Sequence, residues 1–320
     1  MPLSPEADDV LYAGKSGASL EAQLEAALAR NVAGGLAVAE TASLATIADI
    51  VMRENEILFP EMTDVFALSP KMAVKASRAH ELTSRLAESV GVDMPTFKEL
   101  AHEGVDFNKL ASSHETMTRL GMMPELVIAP VLTLEQWKVV YKSLHDDLHI
   151  NHAGHIKNGG FWVTDDVVEG WDELQNHDRT VNIAGQRWDV LIVPGTNQPT
   201  ATSTDYHGKE HNGKISEVIL MVATELGLQD DQIPTEALNP TIDAYLTLQA
   251  NSFLQANTSI GIAAPPVDYN SCTWLDAELP GDRAVLGYWK AKDGMVCLGW
   301  RHGLIRDAKV GVRVPVWGTS

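Results

Sequence analysis

The chain reads as an α+β protein, with a helical N-terminal region over residues 1–122 and a domain over residues 123–320 built on a small antiparallel sheet with flanking helices. Three observations predict this. Apolar residues recur at spacings of three and four through the first third. At Met123-Pro124 the texture changes to short apolar runs broken by Gly, Asp and Pro. Four of the eight tryptophans crowd into the terminal stretch Asn270–Trp317.

In chain order, Leu20, Leu24, Ala27 and Leu28 predict a helix over Ser19–Val32 that stops before Gly34-Gly35. Leu44, Ile47, Ile50 and Val51 predict another over Thr41–Leu58, closed by Pro60. Ser69-Pro70 opens a third, Lys71–Val90, with Lys75, Arg78 and Arg85 expected to face water. Pro95–Glu103 and Phe107–Leu120 complete the set, which reads as a helical scaffold or homo-oligomerisation module.

Glu125–Val131 then reads as a buried strand. Thr133 and Gln136 have the spacing of a capping box, opening a helix that carries Trp137, Val140, Tyr141 and Leu144. Thr180–Ile183 and Trp188–Val193 predict a hairpin across Ala184-Gly185-Gln186. Gly195–Gly213, rich in Thr, Ser, Asn, His and Gly, reads as an exposed loop. Helices follow over Ile215–Leu228, with Val218, Ile219, Val222 and Leu226 on one side, and over Pro240–Gln255, with Ile242, Tyr245, Leu246 and Leu248. Ala264-Pro265-Pro266 is a hinge into the aromatic segment. There Ala284–Trp289 and Met295–Trp300 read as strands joined at Lys292-Asp293-Gly294, and Val310–Val316 as a third. Arg301–Ala308 between them is polar and irregular, hence a surface loop.

A net charge of −19 repels phosphate backbones and anionic membranes, so no nucleic-acid partner is expected. The acidic start MPLSPEADDV has no apolar core, and no run approaches the roughly 18 apolar residues of a membrane span. No signal peptide and no membrane insertion are therefore expected. The default compartment is the cytoplasm, or a phage particle or surface reached through a partner. Two cysteines, Cys272 and Cys297, cannot make a disulfide framework, although one bridge between them stays open.

Three motifs invite a chemical reading. His145, His149, His152 and His155 are spaced to share one face of a continuous helix, where histidines at i and i+4 can chelate zinc. No glutamate completes an HExxH pattern, and Asn151, Gly154 and Asn158-Gly159-Gly160 break the helix, so a polar helix end is the competing reading. Gly14-Lys15-Ser16 resembles part of a phosphate loop, yet Asp9 occupies the position of its first glycine and no strand precedes it. No Gly-x-Ser-x-Gly elbow, dinucleotide fingerprint or singled-out carboxylate pair is present, so neither a catalytic group nor a cofactor is expected.

The third motif is the terminal segment. Cys272-Thr273-Trp274-Leu275, Gly287-Tyr288-Trp289, Val296-x-Leu298-Gly299-Trp300 and Gly311-Val312-Arg313-Val314 occur in an order that resembles the C-terminus of C-type-lectin-fold proteins. The likeness is to the branch of formylglycine-generating-enzyme-like domains and the variable proteins of diversity-generating retroelements. It covers the terminal segment, reaches Glu125–Gln255 loosely, and does not touch the helical first third. The resemblance implies a C-type-lectin-like domain over residues 123–320, closed by the Gly-Val-Arg strand and binding a protein or surface ligand through diversified loops.

It also implies diversification of asparagine codons into a set without Lys, Glu, Gln, Met and Trp, and Arg301–Ala308 contains none of those residues. Arg301, His302, Leu304, Ile305, Arg306 and Asp307 are accordingly the central candidates for ligand contact, with Tyr269, Asn270, Ser271, Asp276 and Arg283 on adjoining loops. Arg and His there would seat an anionic or aromatic group. The competing reading pairs Arg301 and Arg306 with Asp282 or Asp307. Arg313 is open to a structural reading, as an inward guanidinium tying the last strand to a carboxylate or carbonyl. Buried Trp289, Trp300 and Trp317 would stiffen the frame. Formylglycine-generating enzymes depend on a cysteine pair near the C-terminus; here Cys272 falls at a loop end and Cys297 in mid-strand, so oxidase activity is not expected.

Overall fold

The computed structural model describes residues 70–148, 160–195, 198–226, 238–258, 267–268, 270–290 and 295–319. The helices expected over Ser19–Val32 and Thr41–Leu58, the Gly14-Lys15-Ser16 motif, the hinge Ala264-Pro265-Pro266 and the turn Lys292-Asp293-Gly294 lie outside them. The described residues form a mixed α+β structure of eight helices around two sheets. None of these helices is long and apolar enough to cross a membrane.

Helices α1 (Pro70–Glu88), α2 (Phe97–His102) and α3 (Phe107–Arg119) fall where apolar periodicity places them. Thr96 and Glu99 cap α2 reciprocally, and Asp106 accepts the Lys109 amide at the start of α3. Phe97, Leu100, Phe107, Leu110 and Met117 turn inward onto one face of the first sheet, meeting Leu126, Ile128, Trp188, Val190 and Ile192. Arg85 faces water as expected, but Lys75 does not. Its ammonium donates to the Pro124 carbonyl at 3.1 Å and lies 3.7 Å from Glu125, because α1 packs on that strand.

The first sheet is centred on β4 (Gln186–Pro194). β1 (Pro124–Pro130) runs antiparallel to it from Pro124 opposite Pro194 to Pro130 opposite Trp188. β3 (Val181–Ile183) forms the expected hairpin with β4. Ala184 and Gly185 at its turn have φ of 53° and 89°, the left-handed pair that a two-residue hairpin loop needs. β10 (Val316–Trp317) pairs with Ile192 and Leu191.

Helix α4 (Leu134–Leu148) opens with the expected capping box, in which Gln136 N–H donates to Thr133 Oγ1 at 3.3 Å and Thr133 N–H to Gln136 Oε1 at 3.0 Å. The second sheet has the order β2 (Phe161–Val163), β8 (Met295–His302), β7 (Arg283–Lys290), β6 (Cys272–Leu279), β9 (Val310–Val312), β5 (Ala201–Thr202). β2 runs parallel to β8 and β9 parallel to β6; the other pairs are antiparallel.

Helix α8 (Ile242–Thr258) lies between the sheets. Ala244 and Leu248 meet Val127, Leu191 and Val193 of the first sheet. Tyr245, Leu246 and Phe253 meet Leu275, Val285, Trp289, Val296 and Leu298 of the second, in a core shared with α4, α5 (Asp165–Glu169) and α6 (Trp171–Leu174). On its far side the second sheet is covered by α7 (Glu217–Glu225) and Tyr206, which pack on Trp274, Leu286, Val310 and Val312. Ile219 and Val222 are buried there, whereas Val218, expected beside them, is 39% exposed on the outer side of α7.

Two further expectations change. Val310–Val316 is not one strand: β9 belongs to the second sheet and β10 to the first, and Arg313-Val314-Pro315 carries the chain across. Arg313 makes that crossing. Wholly buried, it pairs with Asp268 Oδ1 at 2.8 Å and donates to Thr273 Oγ1 at 3.2 Å and to the Pro194 carbonyl at the end of β4. It thus binds both a carboxylate and a carbonyl. Secondly, Gly195–Gly213 is not simply exposed. Thr204, Asp205 and Tyr206 are buried, because β5 pairs with β9 and Tyr206 packs edge-on against Trp274.

Arg313→Met would strand the Asp268 carboxylate without water or a cation. We expect a loss of about 3–5 kcal/mol in urea unfolding. Gly287 on β7 faces Tyr245, and a Cβ there would lie 2.2 Å from the ring, whose hydroxyl is held by Gln249. Gly287→Ala should therefore cost about 2 kcal/mol or more. Adding Tyr245→Leu should remove most of that extra penalty, and additive losses in the double variant would refute the contact.

Candidate functional site

Along β8, Val296 and Leu298 point toward α8 and Cys297 to the opposite face, all buried. Past Gly299 the strand outruns both covering layers, so Trp300, Arg301 and His302 are successively exposed. Trp300, expected to be buried, is 36% exposed. It is held rather than covered: its indole N–H donates to Asp166 Oδ2 at 2.7 Å, and the Arg283 guanidinium lies 4.7 Å from the centre of its ring. Arg283 also donates to Asp166 Oδ1 at 2.8 Å and to the Pro280 carbonyl at 2.8 Å. The hydrogen bonds from Arg283 and then Trp300 hold the Asp166 carboxyl below the usual carboxylate range.

The segment after β8 is pinned at its backbone and open at its side chains. Ile305 N–H donates to the His302 carbonyl, and Leu304 N–H to His302 Nδ1 at 3.3 Å. Gly303 donates to the Asp282 carbonyl and accepts from Tyr206 N–H, both at 2.8 Å. Asp282 and Gly281 adopt φ of 55° and 84° in the turn between β6 and β7. Arg306 turns inward, donating to the Lys209 carbonyl at 2.9 Å and to Asp205 Oδ2 at 2.5 Å. The buried Asp205 carboxylate also accepts the amides of His207 and Lys209. Arg301 lies 3.6 Å from Asp307, whose other oxygen accepts the Lys309 amide. Leu304 and Ile305 project outward, 55% and 37% exposed.

Of the other candidates, Asn270 is exposed and Tyr269 lies outside the described residues. Ser271 is buried and donates to Asp268 Oδ1 at 3.0 Å, next to Arg313. Asp276 stands within β6 rather than on a loop, where it pairs with Arg179. His145 falls in the last turn of α4, and His149, His152 and His155 lie outside the described residues. Among the described residues no group of three or more His, Cys, Asp or Glu could hold a metal. Cys272 and Cys297 each stand opposite Tyr288, on β6 and β8. Two strand spacings, about 9–10 Å, separate them, beyond the reach of a disulfide.

Composition did not single out a buried polar group at the N-terminal end of α8. Asp243 accepts from Leu132 N–H, from the Trp137 indole at 2.7 Å and from Gln175 at 2.7 Å. Asp189 accepts from Thr241 Oγ1, while its other oxygen has no hydrogen-bond partner and lies 3.6 Å from His177 Nε2. Burial, and then the neighbouring Asp243 carboxylate, push Asp189 up to about 7. Burial pushes Asp243 up to about 6. Burial, with the cations of Arg179 and Arg187, holds His177 down at about 4. Asp189 and Asp243 are wholly buried, and the Trp317 ring lies against His177. The cluster's only signal in the sequence is one aspartate within each of two apolar runs.

Comparison with protein-family models, with curated proteins and with solved structures gives no match for this chain.

Asp189 has a testable sign. Between its unfolded value of about 4 and its folded value of about 7, the folded chain keeps a proton that the unfolded chain has lost. Its contribution to stability therefore falls as pH rises across that window and stays low above it. Asp189→Asn retains an acceptor for Thr241 and abolishes the titration. Relative to the parent, it should gain roughly 2 kcal/mol in denaturant unfolding between pH 5 and pH 8. A difference that does not move with pH would place the proton elsewhere.

Proposed function

We propose that the chain is a ligand-binding protein that displays sequence-tolerant positions from a C-type-lectin-like scaffold, as the variable proteins of diversity-generating retroelements do. The observation that carries the reading is the exposed end of β8 with its following segment. Arg301, His302, Leu304 and Ile305 present side chains to water beside the held Trp300, from a backbone whose turn and register are set by main-chain hydrogen bonds to Asp282 and Tyr206 and by pairing with β7. Substitution at such positions changes the surface without changing the core, the condition under which many sequences share one fold.

The mixture also suits recognition. Trp and Arg dominate protein–protein contact energy, and aliphatic side chains beside them exclude water. The partner is a protein or surface ligand met by the C-terminal segment, and the contact needs no cofactor. The order of Gly287-Tyr288-Trp289, Gly299-Trp300 and Gly311-Val312-Arg313 supports the family reading; antiparallel β6, β7 and β8 are compatible with it.

The test is a display library of the full chain, randomised at Arg301, His302, Leu304, Ile305 and Asp307. Most members should remain protease-resistant, with unfolding midpoints within about 3 °C of the parent. Selection against unrelated protein targets should return binders, and a control library on the exposed face of α4 should not. Widespread loss of folding, or equal yield from the control, would defeat the reading. A near-copy of the terminal codons beside a reverse transcriptase, differing mainly at adenines, is the independent genomic expectation.

A further inference from the structure

We infer that the contact surface has a second half, the segment 205–214, and that the two halves together receive an acidic stretch of a protein partner. The inference rests on the ligand-binding reading above and adds to it both a surface and a partner chemistry. Segment 205–214 lies 101 positions before the terminal segment, measured from Asp205 to Arg306. The fold fastens the two together. Tyr206 N–H bonds the Gly303 carbonyl, Arg306 bonds the Lys209 carbonyl, and the Arg306–Asp205 pair closes beneath them.

Charge then separates this place from the rest of the molecule. The whole chain has 24 Lys and Arg against 43 Asp and Glu. Residues 205–214 and 301–309 reverse that balance, with Lys209, Lys214, Arg301, Arg306 and Lys309 against Asp205, Glu210 and Asp307. Asp205, wholly buried, and Arg306 neutralise each other, so neither offers a field to a partner, which leaves Lys209, Lys214, Arg301 and Lys309 against Glu210, Asp307 and the exposed Asp282. Among the described residues Lys209, Lys214 and Lys309 form no salt bridge, and Lys214 and Lys309 are exposed. Asp282 stands at the rim, where its carbonyl anchors Gly303. The result is a modest positive area on an acidic protein, the arrangement that steers an anionic partner to one face.

Leu304 and Ile305 are exposed within the segment that carries Arg301, Arg306 and Lys309, so the complement is a polypeptide that alternates carboxylates with apolar side chains. Nucleic acid fits less well. It would gain from the lysines, but a duplex extends beyond them into the field of a chain whose net charge is −19.

The test uses the full chain and a labelled synthetic peptide alternating Glu and Leu, with a Lys-and-Leu peptide and a DNA duplex as comparators. The acidic peptide should bind, and should weaken about tenfold between about 50 and about 300 mM salt. Lys209→Glu combined with Lys309→Glu should weaken it by about tenfold more without moving the unfolding midpoint, while Lys142→Glu on α4 should not change it. Equal binding to the double variant, no binding of the acidic peptide, or tighter binding of the duplex would each overturn the inference. Should the terminal library still yield folded binders in that case, only the second half of the surface is lost. Failure of the library itself would remove the reading beneath it.

Discussion

The guanidinium of Arg313 has no contact with water, and on it depends the relation between the two sheets. It occupies the crossing from β9 to β10 and binds the last carbonyl of β4 on one side and Asp268 with Thr273 on the other. Removing two charges from water costs several kcal/mol each, and only near-complete hydrogen bonding recovers it. The surroundings supply this, since Asp268 also accepts from Ser271 at 3.0 Å and from Thr273 at 2.6 Å. A lysine would bring a point charge, where the site calls for a planar fork with donors in three directions. With one side chain bonded into both sheets, neither can slide without exposing an ion to an apolar interior.

The same demand recurs around α8. A helix enclosed on all sides cannot leave the amides of its first turn to water, so they and the groups beside them must find partners inside. Thr241 Oγ1 accepts from Ala244 N–H and donates to Asp189, and Asp243 collects the Leu132 amide, the Trp137 indole and Gln175. Both carboxylates sit at the positive pole of the helix, which offsets part of their desolvation. Two apolar sheet faces alone would admit α8 in several rotations about its axis. Directional bonds from Trp137, Gln175 and Thr241 select one, and thereby fix the face that Tyr245 presents to Gly287.

What is legible in the sequence is what local chemistry decides. The Thr133–Gln136 box, the Ala184-Gly185 turn and the apolar strands β7 and β8 stand where residue spacing puts them, because their signals lie within a few residues. Features that depend on distant partners are not legible. Val310–Val316 has the grammar of one strand, and only the Pro194 carbonyl, 119 positions away from Arg313, explains why it serves two sheets. The polar composition of 195–213 suggests solvent, yet Asp205 goes inside because Arg306 meets it there. Lys75 turns inward toward a carbonyl on β1 that no helical periodicity reports. At the candidate site, Arg301 and His302, expected in the loop, end strand β8, and Gly303 is buried. The exposure of Arg301, His302, Leu304 and Ile305 is readable from polarity. The inward turn of Arg306 and the burial of Ser271 are not, since polar residues at the surface and in a saturated interior network look alike in one dimension.

That difference bears on how a tolerant surface can sit on an intolerant frame. A strand that ended flush with its covering layers would alternate buried and exposed positions, and every second substitution would reach the core. β8 instead extends past them, so three successive residues leave both faces of the sheet. An extension of that kind would ordinarily fray. Here Asp166 holds the Trp300 indole and Arg283 together, and the Gly303 amide and carbonyl are taken by Asp282 and Tyr206. Most of these restraints use backbone groups or residues outside Arg301–Ile305; the exception is His302, whose Nδ1 accepts the Leu304 amide. Leu304 and Ile305 are therefore free to differ in kind while remaining fixed in place, so a partner would meet them with little ordering entropy still to be lost.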